Sequence, residues 1–168
     1  TDGKNPAKIK NLKVSGNINA DDFYFIRDNM DIIQAINMKE AEIVALWFYF
    51  VDLNDGQGYH YECFTGEMPE SEGEREAAVR ERYPEVEFIH FSNYGNVSSA
   101  NEIPNEAFCD KSTLINFVFP EYVTKIGYNA FRQTTLSGAL IIPDDVVEIE
   151  NCAFYGTNIS SLQLPHSL

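Results

Sequence analysis

The stretch KIGYNAFRQTT, residues 125–135, sets the pair Ala130-Phe131 among polar neighbours, with no apolar run or amphipathic stripe around it to explain a ring there. The explanation lies further along the chain. Ala107-Phe108, Ala130-Phe131 and Ala153-Phe154 are spaced by 23 residues. In the same register Ile103, Ile126 and Ile149 each stand five residues before their phenylalanine, and Val123 and Val146 also superimpose. Three apolar, strand-like pieces each end in proline: FVFP at Pro120, LIIP at Pro143 and LQLP at Pro165. Proline fixes φ and lacks a backbone donor, so it suits a strand end where the chain turns. A unit this short cannot enclose a core, so its inward side chains must be covered by neighbouring units. The spacing therefore predicts Phe131 as one rung of a ladder between Phe108 and Phe154.

FPEYVTKIGYNAF (119–131) and IPDDVVEIENCAF (142–154) resemble the BspA-like leucine-rich repeats, whose units read approximately I-P-x-x-V-x-x-I-G-x-x-A-F; the resemblance covers residues 101–168. It implies an α/β repeat solenoid, a right-handed leucine-rich-repeat superhelix that is β-rich, and it implies the surface and secreted proteins of Bacteroides-type bacteria and some protists, with adhesion to a host as a role. LKVSGNINADDFYFIRDNM (12–30) also resembles the caps that precede such repeats. Gly127 keeps the turn glycine of the pattern, but Pro104 and Glu150 replace it in the flanking units, which predicts different backbone angles or strain there. Three residues after each phenylalanine stand Lys111, Thr134 and Thr157. An unpaired buried ammonium is costly, so the first linker is expected to bulge toward water.

Asn19–Asn29 reads as a short helix, capped by Asn19 or Asp21, with Phe23, Ile26 and Met30 near one face. Leu12 and Val14 alternate as a strand, and Ile33, Ile36 and Met38 carry an L-x-x-L-x-L spacing that Val86, Ile89 and Phe91 repeat. Six parallel rungs are expected in one continuous sheet, at about 12–14, 33–38, 86–91, 116–119, 139–142 and 161–164. Between the second and third, VALWFYFVDLNDGQGYHYECFTG (44–66) predicts a hairpin around Asn54-Asp55-Gly56, and Glu70–Arg82 a surface helix with Ala78 and Val79 facing inward. The expected organisation is a cap and first coils over 1–43, an insertion over 44–84 and repeats over 85–168, in one continuous domain.

With 26 acidic and 12 basic residues the formal charge is −14, a field that repels phosphate backbones and anionic lipid, so neither nucleic acid nor membrane insertion is expected. Cys63, Cys109 and Cys152 suggest no disulfide framework. His60-x-x-Cys63 supplies two ligands where zinc wants about four, and Asp52–Glu62 places its glycine one residue early for a calcium loop. No metal or cofactor is expected. His60, His90 and His166 lie in no catalytic motif, and acidic pairs such as Asp144-Asp145 read as solvated faces, so an enzyme is not expected.

Binding remains. Outward strand positions include Asn37, His90 and Asn116, and Trp47, Tyr49, Tyr59, Tyr61 and Tyr94 could supply ring contacts to a protein or glycan. The expected function is a non-enzymatic module, extracellular, on the cell surface or periplasmic, that binds a protein or glycan. A structural spacer or a carbohydrate-capture accessory domain of a larger protein is the alternative. LPHSL (164–168) stops in mid-coil, so a cut segment, a self-capping strand or pairing of two chains through their C-terminal coils is expected.

Overall fold

The computed structural model describes residues 5–166 and 168, with the side chains of all of these except residues 92–94. In chain order, after a 3-10 turn at Pro6–Lys8, come β1 (Asn11–Ile18), α1 (Ala20–Asn29), β2 (Ala35–Ile43), β3 (Leu46–Asp52), β4 (Tyr59–Thr65), α2 (Glu72–Arg82), β5 (His90–Ser98), β6 (Glu102–Ile103), β7 (Asn116–Val118), β8 (Lys125–Ile126), β9 (Ser137–Ile141), β10 (Glu148–Ile149) and β11 (Asn158–Gln163). The chain divides into two compact units, one of residues 1–43 with 101–168 and one of residues 44–100.

The first unit is built from parallel ladders. β1-β2-β7, β6-β8-β10 and β9-β11 are its sheets, and every pairing in them is parallel. This corrects the expectation of one continuous six-rung sheet. Ala35–Asn37 pair directly with Asn116–Val118, so 86–91 supplies no rung between them. The chain leaves this unit after Ile43 and returns at Asn101, whose N–H donates to the Ile43 carbonyl at 2.9 Å.

What repeats most faithfully is the turn column that carries the Ala-Phe pairs. Backbone N–H groups of Glu106, Phe108 and Asp110 donate to the carbonyls of Tyr128, Ala130 and Arg132, and those of Asn129, Phe131 and Gln133 to the carbonyls of Asn151, Ala153 and Tyr155. Two backbone positions per coil are left-handed: Glu106, Asn129 and Cys152 at φ of 58°, 56° and 60°, and Asp110, Gln133 and Gly156 at 61°, 56° and 75°. A side chain there costs about 1–2 kcal/mol against glycine, which the ladder bonds, at about 1 kcal/mol each, offset. Behind them the rings stack as the spacing predicts, with centroids 5.4 Å apart from Phe108 to Phe131 and 5.3 Å from Phe131 to Phe154.

Gly127 is a second correction. Its φ is not among the positive ones, so the turn imposes no special backbone angle on Pro104 or Glu150. The glycine answers instead to close approach: a Cβ there would lie 2.6 Å from Asn105 Oδ1 and 2.8 Å from both Asn105 N and the Ile103 carbonyl. Ile103, Ala107, Val123, Ile126, Ala130 and Val146 are buried with Phe108 and Phe131, Ala153 nearly so, while Ile149 and Phe154 pack against the same core half-covered.

α1 begins at the expected cap, with Asn19 accepting from Asp21 N and Asp22 completing a capping box. Its Phe23 ring meets Phe108 edge-on at 5.8 Å. Tyr24 Oη donates to the Asn105 carbonyl at 3.2 Å and an Arg27 guanidinium N–H to the Glu106 carbonyl at 3.0 Å. Lys111 corrects a third expectation. Its linker does not bulge; the residue is buried and its ammonium donates to the Arg27 carbonyl at 2.5 Å, near the C-terminal, electron-rich end of α1. Burial pushes its pKa down, and the nearby Asp31 and Asp28 carboxylates oppose that. Thr134 and Thr157, at the same position, instead turn their hydroxyls back onto the Phe131 and Phe154 carbonyls.

The second unit is an antiparallel sheet, β4-β3-β5, with α2. Period-two alternation along β3 puts Trp47 and Tyr49 on one face and Phe48 and Phe50 on the other. Trp47, Tyr49 and Val51 are buried with Val79 of α2, and Phe64, Ala78, Val86, Ile89 and Phe91 pack against them. Phe64 stacks on Trp47 at 4.7 Å and on Tyr49 at 4.9 Å. Arg82 and the Tyr83 hydroxyl both bond the Glu62 carboxylate, tying the end of α2 to β4.

Candidate functional site

The alternation that buries Trp47 and Tyr49 turns Phe48 and Phe50 to the opposite face of β3. By register that face runs across the strands in rows: Tyr59, Asp52 and His90; Tyr61 and Phe50; Cys63, Phe48 and Gly95. Phe48 lies over Gly95, where a Cβ would stand 3.3 Å from the ring, so the bare glycine makes room for the aromatic. Tyr61 packs 5.1 Å from Phe50 and 5.7 Å from Phe48, and Phe48 meets Phe50 edge-on at 6.0 Å. Tyr59 and Tyr61 are each 55% exposed and Phe50 36%. A cluster of rings held against one another yet open to water is the composition that interface centres favour, since rings bring large contact area at low entropic cost.

The hairpin tip beside this face is held by its own polar groups. Asp52 accepts from Asn54 N at 2.7 Å; Asp55 accepts from Gln57 N at 2.9 Å and pairs with His60 Nε2 at 2.8 Å. The Gln57 amide, and secondarily His60, hold the Asp55 carboxyl below the ordinary carboxylate range. These oxygens complete turns.

The structure sorts the expected contact residues into three groups. Trp47 and Tyr49, at 2% and 0% exposed, are core residues; their expected contact role is corrected by strand alternation, which points them at α2. Tyr59, Tyr61 and His90 share one face, and Phe48 and Phe50, which are not among the expected contacts, lie on it with them. The side chain of Tyr94 lies outside the described residues. Asn37 and Asn116 are exposed on β2 and β7 of the other unit, on the outward side of a parallel sheet where Ile36 and Phe117 point inward. His90 was grouped with them as a rung position, but β5 pairs antiparallel with β3. The signal for Phe48 and Phe50 was present in the alternation, since whichever face of β3 is not core must carry its rings outside.

Cys63, Cys109 and Cys152 are unbridged. Cys109 lies 3.7 Å from an Arg132 guanidinium nitrogen, and burial pushes its thiol pKa up, so it is not an activated nucleophile. No helix is long and apolar enough to cross a membrane among the described residues. Residues 101–168 match a family model described as BspA type leucine rich repeat region, in six copies. No curated protein matches the chain.

Proposed function

From the match of residues 101–168 to the BspA-type leucine-rich repeats, we propose that this chain is a non-catalytic, exported or cell-surface interaction module that holds a protein ligand on the ring-lined face of the unit 44–100. In this reading the parallel ladders are turns of a right-handed leucine-rich-repeat superhelix that α1 caps, and the repeat region acts as a stiff mount. The observation that carries the proposal is the exposed cluster of Phe50, Tyr59 and Tyr61. Solvated aromatics in contact with one another are unfavourable to leave bare and favourable to cover. A glycan is the second reading, favoured by two tyrosine hydroxyls beside ring faces, since sugars stack on rings and hydrogen-bond at the edge.

The test compares wild type with a Phe50→Ser, Tyr61→Ser variant on purified extracellular-matrix proteins and on a glycan array. Binding that the variant loses supports the proposal and names the class. Wild type that binds nothing in either format reduces the chain to a structural spacer. Trp47→Ala is no test of contact, because it removes core.

A further inference from the structure

The unit of residues 1–43 and 101–168 carries a groove of a different kind. Two adjoining concavities, of about 490 and 600 Å³, share Lys39, Glu121, Tyr122 and Asp145. The first is floored by Val118 and Ile141, on β7 and β9. Alternation along a strand with one solvated face reserves its outward positions for polar residues, yet these two are 45% and 63% exposed. Pro120 and Pro143 close the floor, and in both coils acid follows at once, as Glu121 and as Asp144-Asp145. Where the concavities meet stands Tyr122, 64% exposed. The second concavity adds Glu42 and Glu40, of which Glu40 is paired with Lys13 at 2.6 Å.

An apolar floor repeated over two coils, an exposed ring beside it and a rim with an excess of carboxylates select a ligand by both shape and sign. We propose that this groove docks an extended, basic segment of a partner protein. Its apolar side chains lie on Val118 and Ile141, and its lysines or arginines face Glu121 and Asp145, one of them over the Tyr122 ring. An extended peptide suits the site because alternate side chains share a face, so one face can meet the floor and the flanking positions the rim. A cation over a tyrosine face is attracted by the ring quadrupole, and opposite charge on the rim speeds encounter and rejects acidic partners. Nucleic acid and anionic polysaccharide are repelled by the same carboxylates.

The experiment measures fluorescence anisotropy of the whole chain with a labelled peptide of alternating lysine and valine. Peptides with serine replacing valine and with glutamate replacing lysine serve as comparisons. Glu121→Gln with Asp145→Asn weakens the lysine-valine peptide about tenfold, and Tyr122→Ala about fivefold. Glu81→Gln with Glu87→Gln removes the same charge from the other unit and leaves binding unchanged. Raised salt weakens binding, and the glutamate peptide does not bind. All these positions are exposed, so unchanged melting confirms that each variant is folded. The proposal is overturned if the control pair weakens binding as much as the groove pair, since the whole chain's field then suffices, or if the lysine-serine peptide binds as tightly. Sedimentation showing a dimer that the peptide dissociates would assign the groove to a second copy and overturn it too.

Discussion

The two units bury their aromatics by opposite means. In residues 44–100 the neighbours that cover a ring are local: Trp47 and Tyr49 are inside because they alternate with Phe48 and Phe50, and the covering strand and helix follow within a few tens of residues. In the repeat unit Phe131 belongs to no local alternation; it stacks on Phe108 and Phe154, one coil away on each side, with Phe117 and Phe119 edge-on to it. A period-two pattern therefore separates a face for the core from a face for the solvent, and leaves Phe50, Tyr59 and Tyr61 open to water. A 23-residue repeat commits the rings of its Ala-Phe pairs to stacking and leaves Tyr122, Tyr128 and Tyr155 at the surface.

Two substitutions set the units against each other. Phe131→Ala removes the middle ring of the stack and costs about 3–5 kcal/mol; Trp47→Ala costs a similar amount in the other core. Hydrogen exchange distinguishes them. Phe131→Ala accelerates exchange at the ladder amides of Phe108 and Asp110 and spares β3 and β4, and Trp47→Ala does the reverse. Uniform loss of protection in both variants would mean that the two units unfold as one.

Gly127→Ala probes close packing without touching a ring. Its Cβ would meet backbone atoms of Asn105 and Ile103 at 2.8 Å, contacts that cannot swing away, so chemical denaturation should show a loss of about 1–3 kcal/mol. Equal stability would show that the coils can part by several tenths of an ångström. No counterpart exists at Gly95, where the atom in the way is the end of the Phe48 side chain.

A weaker effect is electrostatic and confined to the repeat unit. Lys125 lies 2.5 Å from Glu150 and 3.7 Å from both Glu102 and Glu148, and the Lys125 hydrogen bond, with help from the Tyr128 amide, lowers the Glu150 pKa below its ordinary 4.5. A carboxyl whose folded pKa is lowered adds stability that is fully present above the unfolded value and lost as pH falls through the folded one. The melting temperature of wild type should therefore drop more than that of Glu150→Gln when pH is lowered from above 4.5 to below the folded value. Parallel curves would remove Glu150 from the stability of the coil. Smallest of all, Phe50→Ser with Tyr61→Ser should cost about 0.5–1 kcal/mol per site, because the rings give up their contacts with each other and with Phe48 on an open face, while any ligand of that face is lost.

Much of this was legible in the sequence, and the failures have physical reasons. The stack was readable because a repeat supplies its own comparison, and α1, α2 and the hairpin because caps, helix formers and alternation are local signals. The rung at 86–91 was misread because Val86, Ile89 and Phe91 carry the right spacing, and spacing fixes which residues point inward but not which strand lies alongside. Here β5 found β3, and β2 found β7 across the intervening unit of chain. Lys111 was misread for a similar reason. A buried ammonium is costly only when unpaired, and its partner, the Arg27 carbonyl, lies 84 residues earlier. The left-handed positions at Glu106, Gln133 and Cys152 left no composition signal, since none of these residue types favours that conformation, whereas Asp110 and Asn129 belong to types that do.

Tyr24 and Arg27 have a consequence for assembly. Within the stack, the Tyr128, Ala130 and Arg132 carbonyls receive backbone N–H groups from the preceding coil; at Asn105, the position matching Tyr128, the carbonyl receives a phenol from α1 instead, and the neighbouring Glu106 carbonyl, which already accepts from Cys109 N, takes a guanidinium as well. A polymer of coils grows only where a bare edge offers the next coil its own hydrogen-bonding alphabet, and this edge answers in a different one. The helix thus works as a chain terminator in a one-dimensional lattice: another molecule's coil finds the first acceptor of this column, Asn105, already engaged, and joining there would require displacing Phe23 from Phe108 as well.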